Sequence, residues 1–151
     1  MTRWPQGEAE IEHHLTAGHL QKVTGSHADG TRLLAKARRT IATAADIVTN
    51  DPDSAFVLAY DAARYAGTAL LAQQGLRPTS SGGHYTLERA LRAQFGHGFR
   101  RFGALRRRRN ELEYPSVPDE EADQGEAERA ISDAEDLITA SEKLLDRLPL
   151  F

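Results

Sequence analysis

The spacing of apolar residues along the chain predicts helices almost everywhere. Apolar positions recur every three to four residues over long segments, and the strict alternation typical of a half-buried strand is absent. Alanine, leucine, arginine and glutamate, which all favour helices, are abundant. We therefore expect an all-α protein, built as an antiparallel up-and-down bundle of four to five helices with an extra short N-terminal helix.

Turn and capping residues set the expected limits of the first helices. The pattern predicts a weak helix over residues 8–22, followed by a glycine-rich break. Ser26 or Asp29 is then expected to cap the next helix. We accordingly divide the chain into an N-terminal helical arm, residues 1–25, and a helical bundle domain, residues 26–151.

Further breakers divide the bundle itself. Asp51 and Pro52 are suited to cap and begin a long helix, and Gly75 is placed to end it as a left-handed residue. Residues 76–84 are rich in turn formers and predict a polar loop. Two helices follow, the second ending before Pro115, and an acidic linker then leads into a long last helix.

Composition excludes several kinds of site. The chain of 151 residues has no cysteine, which removes disulfides and thiolate metal sites and makes a reducing cytoplasm the expected compartment. His13, His14 and His19 lie close together, but no ligand set with a recognised metal spacing accompanies them, so we expect no metal. Without a nucleotide-loop or nucleophile-elbow motif we expect no cofactor.

We also expect no membrane segment, because no stretch approaches 18 apolar residues and the first residues lack the apolar region of a signal peptide.

Charge is distributed unevenly along the chain. Residues 77–109 carry nine arginines and one glutamate, a net charge of +8. Residues 110–151 carry thirteen acids and three bases, a net charge of −10. Such asymmetry points to nucleic acid or to association between opposite patches. The alternative is that a basic helix and an acidic helix screen each other within the fold.

The most informative segment is FRRFGALRRRRNELEYP. At about 100° per residue, Arg109 falls on the same stripe as the apolar Phe102, Leu105 and Leu112 of this helix. A charge on that stripe needs a partner, and Glu113, four residues later, is placed to provide one.

The same helix has a second, polar face. Arg107, Asn110 and Tyr114 fall together on it, and Arg106 and Arg108 complete a run of basic residues. Guanidinium groups beside an amide and a phenol can bind phosphate and stack on a base. The alternative is that the four consecutive arginines form only a solvated surface.

A family resemblance adds to this interpretation. The segment with Arg109, Asn110 and, after three residues, Tyr114 follows an alanine- and tyrosine-rich helix, AFVLAYDAARYAGTALLAQQGLRP. Over residues 30–148 the chain resembles the HEPN domain of prokaryotes. Many HEPN domains are dimeric, metal-independent ribonucleases whose motif is an Arg separated from a His by four to six residues, with a polar residue directly after the Arg. Arg109 and Asn110 match this motif, and Tyr114 occupies the His position.

The resemblance carries three functional hypotheses. A tyrosine, with a pKa near 10, is a poor substitute for a histidine that must exchange a proton near neutrality, so we first expect binding of RNA or a nucleotide phosphate with weak or no nuclease activity. The catalytic motif would be Arg109, Asn110 and Tyr114, and Arg106, Arg107 and Arg108 would bind phosphate. The alternatives are an endoribonuclease of toxin–antitoxin type and a non-catalytic module partnered with a nucleotidyltransferase.

The resemblance also implies partners. Family members form homodimers, and we expect Phe99, Phe102 and the apolar-stripe Arg109 to contribute to a twofold surface. In some relatives an antitoxin nucleotidyltransferase adds AMP to a tyrosine near the motif, which makes Tyr114 a candidate modification site.

Overall fold

The computed structural model describes residues 2–151 and is built mainly of helices. The expected all-α class is confirmed, with five bundle helices after a short N-terminal one and one small two-stranded sheet. The elements are α1 (Glu8–Thr16), β1 (Leu20–Lys22), α2 (Thr31–Ile47), α3 (Pro52–Gln73), β2 (Leu76–Pro78), α4 (Gly83–Phe95), α5 (Arg100–Glu113) and α6 (Gln124–Leu145).

Helix α3 lies at the centre of the bundle and packs against α2, α4, α5 and α6. Its buried positions are dominated by alanine, whose small side chain lets neighbouring helices approach closely. The buried residues of α3 are Ala55, Phe56, Ala59, Tyr60, Ala62, Ala63, Ala66, Gly67, Ala69, Leu70, Leu71 and Ala72. A helix buried on so many sides can hold polar side chains only where other groups satisfy them.

Side-chain caps and one glycine fix the helix ends much as the sequence predicts. The Asp51 carboxylate accepts a hydrogen bond from the Ser54 backbone N–H at 3.1 Å, so α3 begins at Pro52. Gly75 follows α3 with a φ of +72°, the left-handed conformation that favours glycine. Helix α2 differs from the prediction, because it begins at Thr31 with Gly30 rather than Ser26 or Asp29 at its N-cap; the Asp29 carboxylate, one residue earlier, still accepts from the Thr31 backbone N–H at 2.8 Å.

The small sheet corrects two expectations. Helix α1 ends at Thr16 rather than near residue 22, and β1 and β2 occupy parts of the expected helix and polar loop. The strands pair antiparallel, with Leu20 opposite Pro78 and Lys22 opposite Leu76. Each strand has only three residues, too few to show alternation, and its partner lies more than fifty residues away in the chain. The boundary proposed at residue 25 stays a prediction.

The aromatic residues expected at a twofold surface lie inside the protomer. Phe99 and Phe102 are 1% and 0% exposed and belong to the hydrophobic core. The Phe102 ring lies 5.5 Å, between centroids, from the Tyr60 ring of α3. That expectation was wrong because these two residues are needed to pack α5 and the turn before it onto α3.

The close approach of α2 and α3 leads to a stability prediction. A methyl group on Gly30 would overlap the Ala69 backbone carbonyl, whose carbon would lie 2.8 Å from the new Cβ atom. We expect Gly30→Ala to lower the free energy of unfolding by about 1–3 kcal/mol, measured by denaturant titration. Gly98→Ala is the matched control, because a Cβ atom there meets nothing within 4 Å. Equal stability of the two variants would contradict the prediction.

Candidate functional site

A buried tyrosine joins three helices at one point. Tyr60 on α3 is 0% exposed, and its hydroxyl oxygen lies 2.8 Å from Nδ1 of His84, near the start of α4. The guanidinium carbon of Arg109, on α5, lies 5.9 Å from the centroid of the Tyr60 ring. We call Tyr60, Arg64, His84 and Arg109 the Tyr60 cluster.

The two arginines of the Tyr60 cluster are only partly satisfied. Arg109 forms an ion pair with Glu113, with 2.9 Å between its NH2 nitrogen and a carboxylate oxygen, the pairing predicted from their spacing. The nearest carboxylate of Arg64 is Asp61, at 3.7 Å. The Nε atoms of Arg64 and Arg109 are both buried without a hydrogen-bond partner. The cluster therefore retains positive charge and unused donors.

Burial and charge keep the central side chains neutral at pH 7. Burial lowers the pKa of His84 below its ordinary value of 6.5, and the positive charges of Arg64 and Arg109 lower it further. Burial raises the pKa of the Tyr60 hydroxyl, so this phenol keeps its proton. The hydrogen bond between them consequently joins two neutral groups.

The surroundings of Tyr60 determine which nitrogen of His84 carries the proton. Within residues 2–151 the only hydrogen-bond partner of the Tyr60 hydroxyl is Nδ1 of His84. The neighbouring Arg64 and Arg109 can only donate, so the phenol proton has Nδ1 as its acceptor. We therefore assign the proton of the neutral His84 ring to Nε2. In this form His84 is a hydrogen-bond donor and has no ring nitrogen left to accept a proton.

Sequence reasoning missed His84. Its spacing from Tyr60 and Arg109, 24 and 25 residues, matches no local pattern, and on sequence alone it resembles a solvated residue at a helix start. One available signal was Tyr60 itself, which lies in the middle of a buried stripe and therefore needs a partner for its hydroxyl.

The predicted phosphate-binding arginines differ from one another in the fold. Arg106 donates from Nε to a Glu88 carboxylate oxygen at 2.7 Å, and the Glu88 side chain is only 5% exposed. Arg107 lies 3.9 Å from the same carboxylate but is 61% exposed. Arg106 therefore neutralises a buried acid, whereas Arg107 remains largely available to solvent.

Arg108 is enclosed by acidic side chains. It donates to Glu126 at 2.7 Å, to Glu120 at 2.5 Å and to Glu111 at 2.9 Å. These hydrogen bonds raise the pKa of Arg108, whose charge is thus balanced within the protein. Arg108 thus follows the alternative in which basic and acidic segments screen each other within the fold, because acidic side chains of the linker and of α6 neutralise its charge.

The remaining motif residues face solvent. Asn110 is exposed near the end of α5, and Tyr114, just after that helix, is 78% exposed. Within the described chain the Tyr114 hydroxyl makes no hydrogen bond. We call Arg107, Asn110 and Tyr114 the α5 face. The structure thus separates this face from the motif arginine, Arg109, which is turned towards α3 and Tyr60.

The N-terminal histidines are linked to one another and to α1. Nδ1 of the buried His14 lies 3.2 Å from Nδ1 of His19, and Nε2 of His14 lies 3.2 Å from a Glu10 carboxylate oxygen. Burial lowers the pKa of His14. Between residues 2 and 151, no group of three or more histidine, cysteine or acidic side chains is arranged to hold a metal ion.

Comparison with known proteins identifies the family. The family model of the HEPN domain matches residues 31–144, about three quarters of the chain, and the chain therefore belongs to the HEPN domain family. Neither a curated protein nor a solved structure matches it. No helix in the described residues is both long and apolar enough to span a membrane.

The contrast between Arg106 and Arg107 can be tested by alanine substitution. Arg106→Ala removes the closest partner of the buried Glu88 carboxylate and should lower the free energy of unfolding by about 2–3 kcal/mol. Arg107→Ala removes an exposed side chain and should change it by less than about 0.5 kcal/mol. Thermal and denaturant unfolding measure the free energy of unfolding of the two variants. A stable Arg106→Ala protein would show that Glu88 does not depend on this arginine.

Proposed function

We propose that this HEPN domain binds RNA through phosphate contacts and cleaves it weakly or not at all. The observation that carries the proposal is the hydrogen bond between the Tyr60 hydroxyl and Nδ1 of His84, because a ring that accepts the phenol proton at Nδ1 holds its own proton on Nε2 and cannot act as a general base. Binding requires only donors and positive charge, and both are present on the α5 face and in the Tyr60 cluster.

The α5 face supports a single-stranded RNA ligand. Arg107 is the most exposed arginine of the predicted run, and its carboxylate neighbour, Glu88, is 3.9 Å away and more closely paired with Arg106, so Arg107 can donate to a phosphate oxygen. Asn110 can donate to and accept from a base edge, and the exposed Tyr114 ring can stack on a base. Arg106 and Arg108 support this face indirectly, since each holds acidic side chains in the free protein.

Weak cleavage follows from the proton chemistry of the site. Attack by a ribose 2′-hydroxyl requires a group that accepts its proton near neutral pH. His84, protonated at Nε2, is a donor, and Tyr114 is a phenol in the position of the motif histidine. Arg109 can still contact a phosphate, so binding is kept although the group that would start the reaction is missing.

The binding proposal predicts a specific salt dependence. The affinity for single-stranded RNA should fall as salt rises, because phosphate contacts release counterions. Arg107→Ala should lower the slope of log affinity against log salt by about one. Arg101→Ala is the matched control on the same helix, because Arg101 is half exposed but pairs with Asp133 at 2.7 Å. Fluorescence anisotropy at several salt concentrations measures both slopes, and absence of RNA binding at low salt would reject the proposal.

The second candidate function is a metal-independent endoribonuclease of toxin–antitoxin type. This alternative is supported by Arg109, which occupies the position of the motif arginine and has a buried Nε atom without a hydrogen-bond partner. If only the base is missing, Tyr114→His should produce cleavage of RNA that resists EDTA, and Arg109→Ala in that background should abolish it again. Tyr114→Phe is the control, since it preserves the ring without a titratable group. Strong cleavage by the unchanged protein that is lost in Tyr114→Phe would make the enzyme the primary function.

The partners implied by the family remain part of the proposal. We propose a cytoplasmic homodimer, for which light scattering should give twice the monomer mass. A nucleotidyltransferase partner is supported by Tyr114, which is 78% exposed and therefore accessible for transfer of a nucleotide to its hydroxyl. Such a group would add bulk and negative charge to the α5 face and weaken RNA binding.

A further inference from the structure

An open depression lies beside His84. Its volume is about 310 Å³, and it is lined by residues of α3, of β2 and of the first turns of α4. Arg64 comes from α3, Arg77 from β2 and His84 from α4, while Leu87 and Pro78 provide apolar lining. We call it the strand-side depression. It includes none of the residues singled out from the sequence motif.

Of the two arginines in the strand-side depression, one has no carboxylate partner among the described residues and the other has only a long ion pair. No carboxylate among residues 2–151 lies within ion-pair distance of Arg77. Its Nε–H group donates to the side-chain oxygen of Gln21 at 2.8 Å when the Gln21 amide is oriented with its oxygen towards Arg77, and Gln21 is the neutral residue opposite Arg77 in the strand pair. Arg64 has Asp61 only at 3.7 Å, and its buried Nε atom has no partner. These two arginines contrast with Arg108, which contacts three carboxylates.

Some neutral side chains of the strand-side depression already donate their hydrogens within the protein, and others are free to donate to a ligand. The hydroxyls of Thr68 and Thr79 donate to backbone carbonyls, so their hydrogens are already used. Ser80 is exposed and its hydroxyl has no partner among the described hydrogen bonds. Nδ1 of His84 is occupied by Tyr60, which leaves Nε2–H as the donor of the ring. The free groups are thus all donors, which suits an anion.

We propose that the strand-side depression binds a phosphate monoester, with Arg64, Arg77 and the Nε2–H group of His84 as its donors. A phosphate monoester carries close to two negative charges at pH 7, enough to balance two guanidinium groups, whereas an internal phosphodiester carries one. The partly exposed ring of Pro78 can contact the attached sugar. The source is the terminal phosphate of an RNA strand or a free nucleotide. Only the first source rests on the proposed function.

The test measures binding of AMP and of adenosine to the full chain by isothermal titration calorimetry. AMP should bind at least tenfold more tightly than adenosine, because only AMP offers the dianionic group. Arg77→Gln should weaken AMP binding about tenfold, and Arg64→Gln should do the same. The matched control is Arg39→Gln, an exposed arginine of α2 outside the depression. Circular dichroism verifies that each variant is folded, and Arg77, being exposed, is the substitution least able to disturb the fold.

A second comparison identifies the source of the phosphate. RNA oligonucleotides of one sequence are titrated with either a terminal phosphate or a terminal hydroxyl. Tighter binding of the phosphorylated strand, lost in Arg77→Gln and kept in Arg107→Ala, supports the end of an RNA as the ligand. AMP binding without any RNA binding supports a free nucleotide and rejects the proposed function alone. Equal affinity for AMP and adenosine, or AMP binding unchanged in both Arg77→Gln and Arg64→Gln, would overturn the proposal of this site.

Discussion

The hydrogen bond between Tyr60 and His84 is the interaction on which the functional surface depends. A phenol buried at the centre of α3 needs a partner, and the start of α4 supplies one at 2.8 Å. The same ring packs on Phe102 and lies beneath Arg109, so α3, α4 and α5 meet around one side chain. Burial and the charges of Arg64 and Arg109 lower the pKa of His84, and the contact with Tyr60 determines which of its ring nitrogens donates.

The basic segment has a smaller free charge than its composition indicates. Most of its arginines are paired, with the buried Glu88 at the centre of one group and the acids of the linker and α6 around Arg108 and Arg101. Because their acidic partners differ, the arginines of this segment have different roles. Arg106 and Arg108 stabilise contacts between elements, Arg107 faces solvent, and Arg77 lies in a depression without a carboxylate partner. Residue counts cannot separate these roles, because they depend on which acids the fold brings close.

Sequence reasoning recovers what local pattern encodes and misses what distant contacts decide. The limits of α3 follow from Asp51, Pro52 and Gly75, and the pairing of Arg109 with Glu113 follows from helical spacing. The strands escape prediction because three residues show no periodicity. His84 escapes because its partner lies on another helix, and Phe99 was assigned to an interface because an apolar stripe does not indicate what covers it. The family was recognisable from the motif, and its extent agrees with the match over residues 31–144.

The protonation of the His84 ring distinguishes a phosphate-binding domain from a nuclease with a hidden base. Nitrogen-15 NMR of histidine-labelled protein at pH 7 reports each imidazole nitrogen, and Tyr60→Phe assigns the His84 signals because it removes the partner of Nδ1. We expect Nε2 to carry the proton and Nδ1 to be an unprotonated acceptor, with this preference weakened in Tyr60→Phe. A ring protonated at Nδ1, with Nε2 free to accept a proton beside Arg109, would contradict the assignment of His84 as a donor and would favour catalysis.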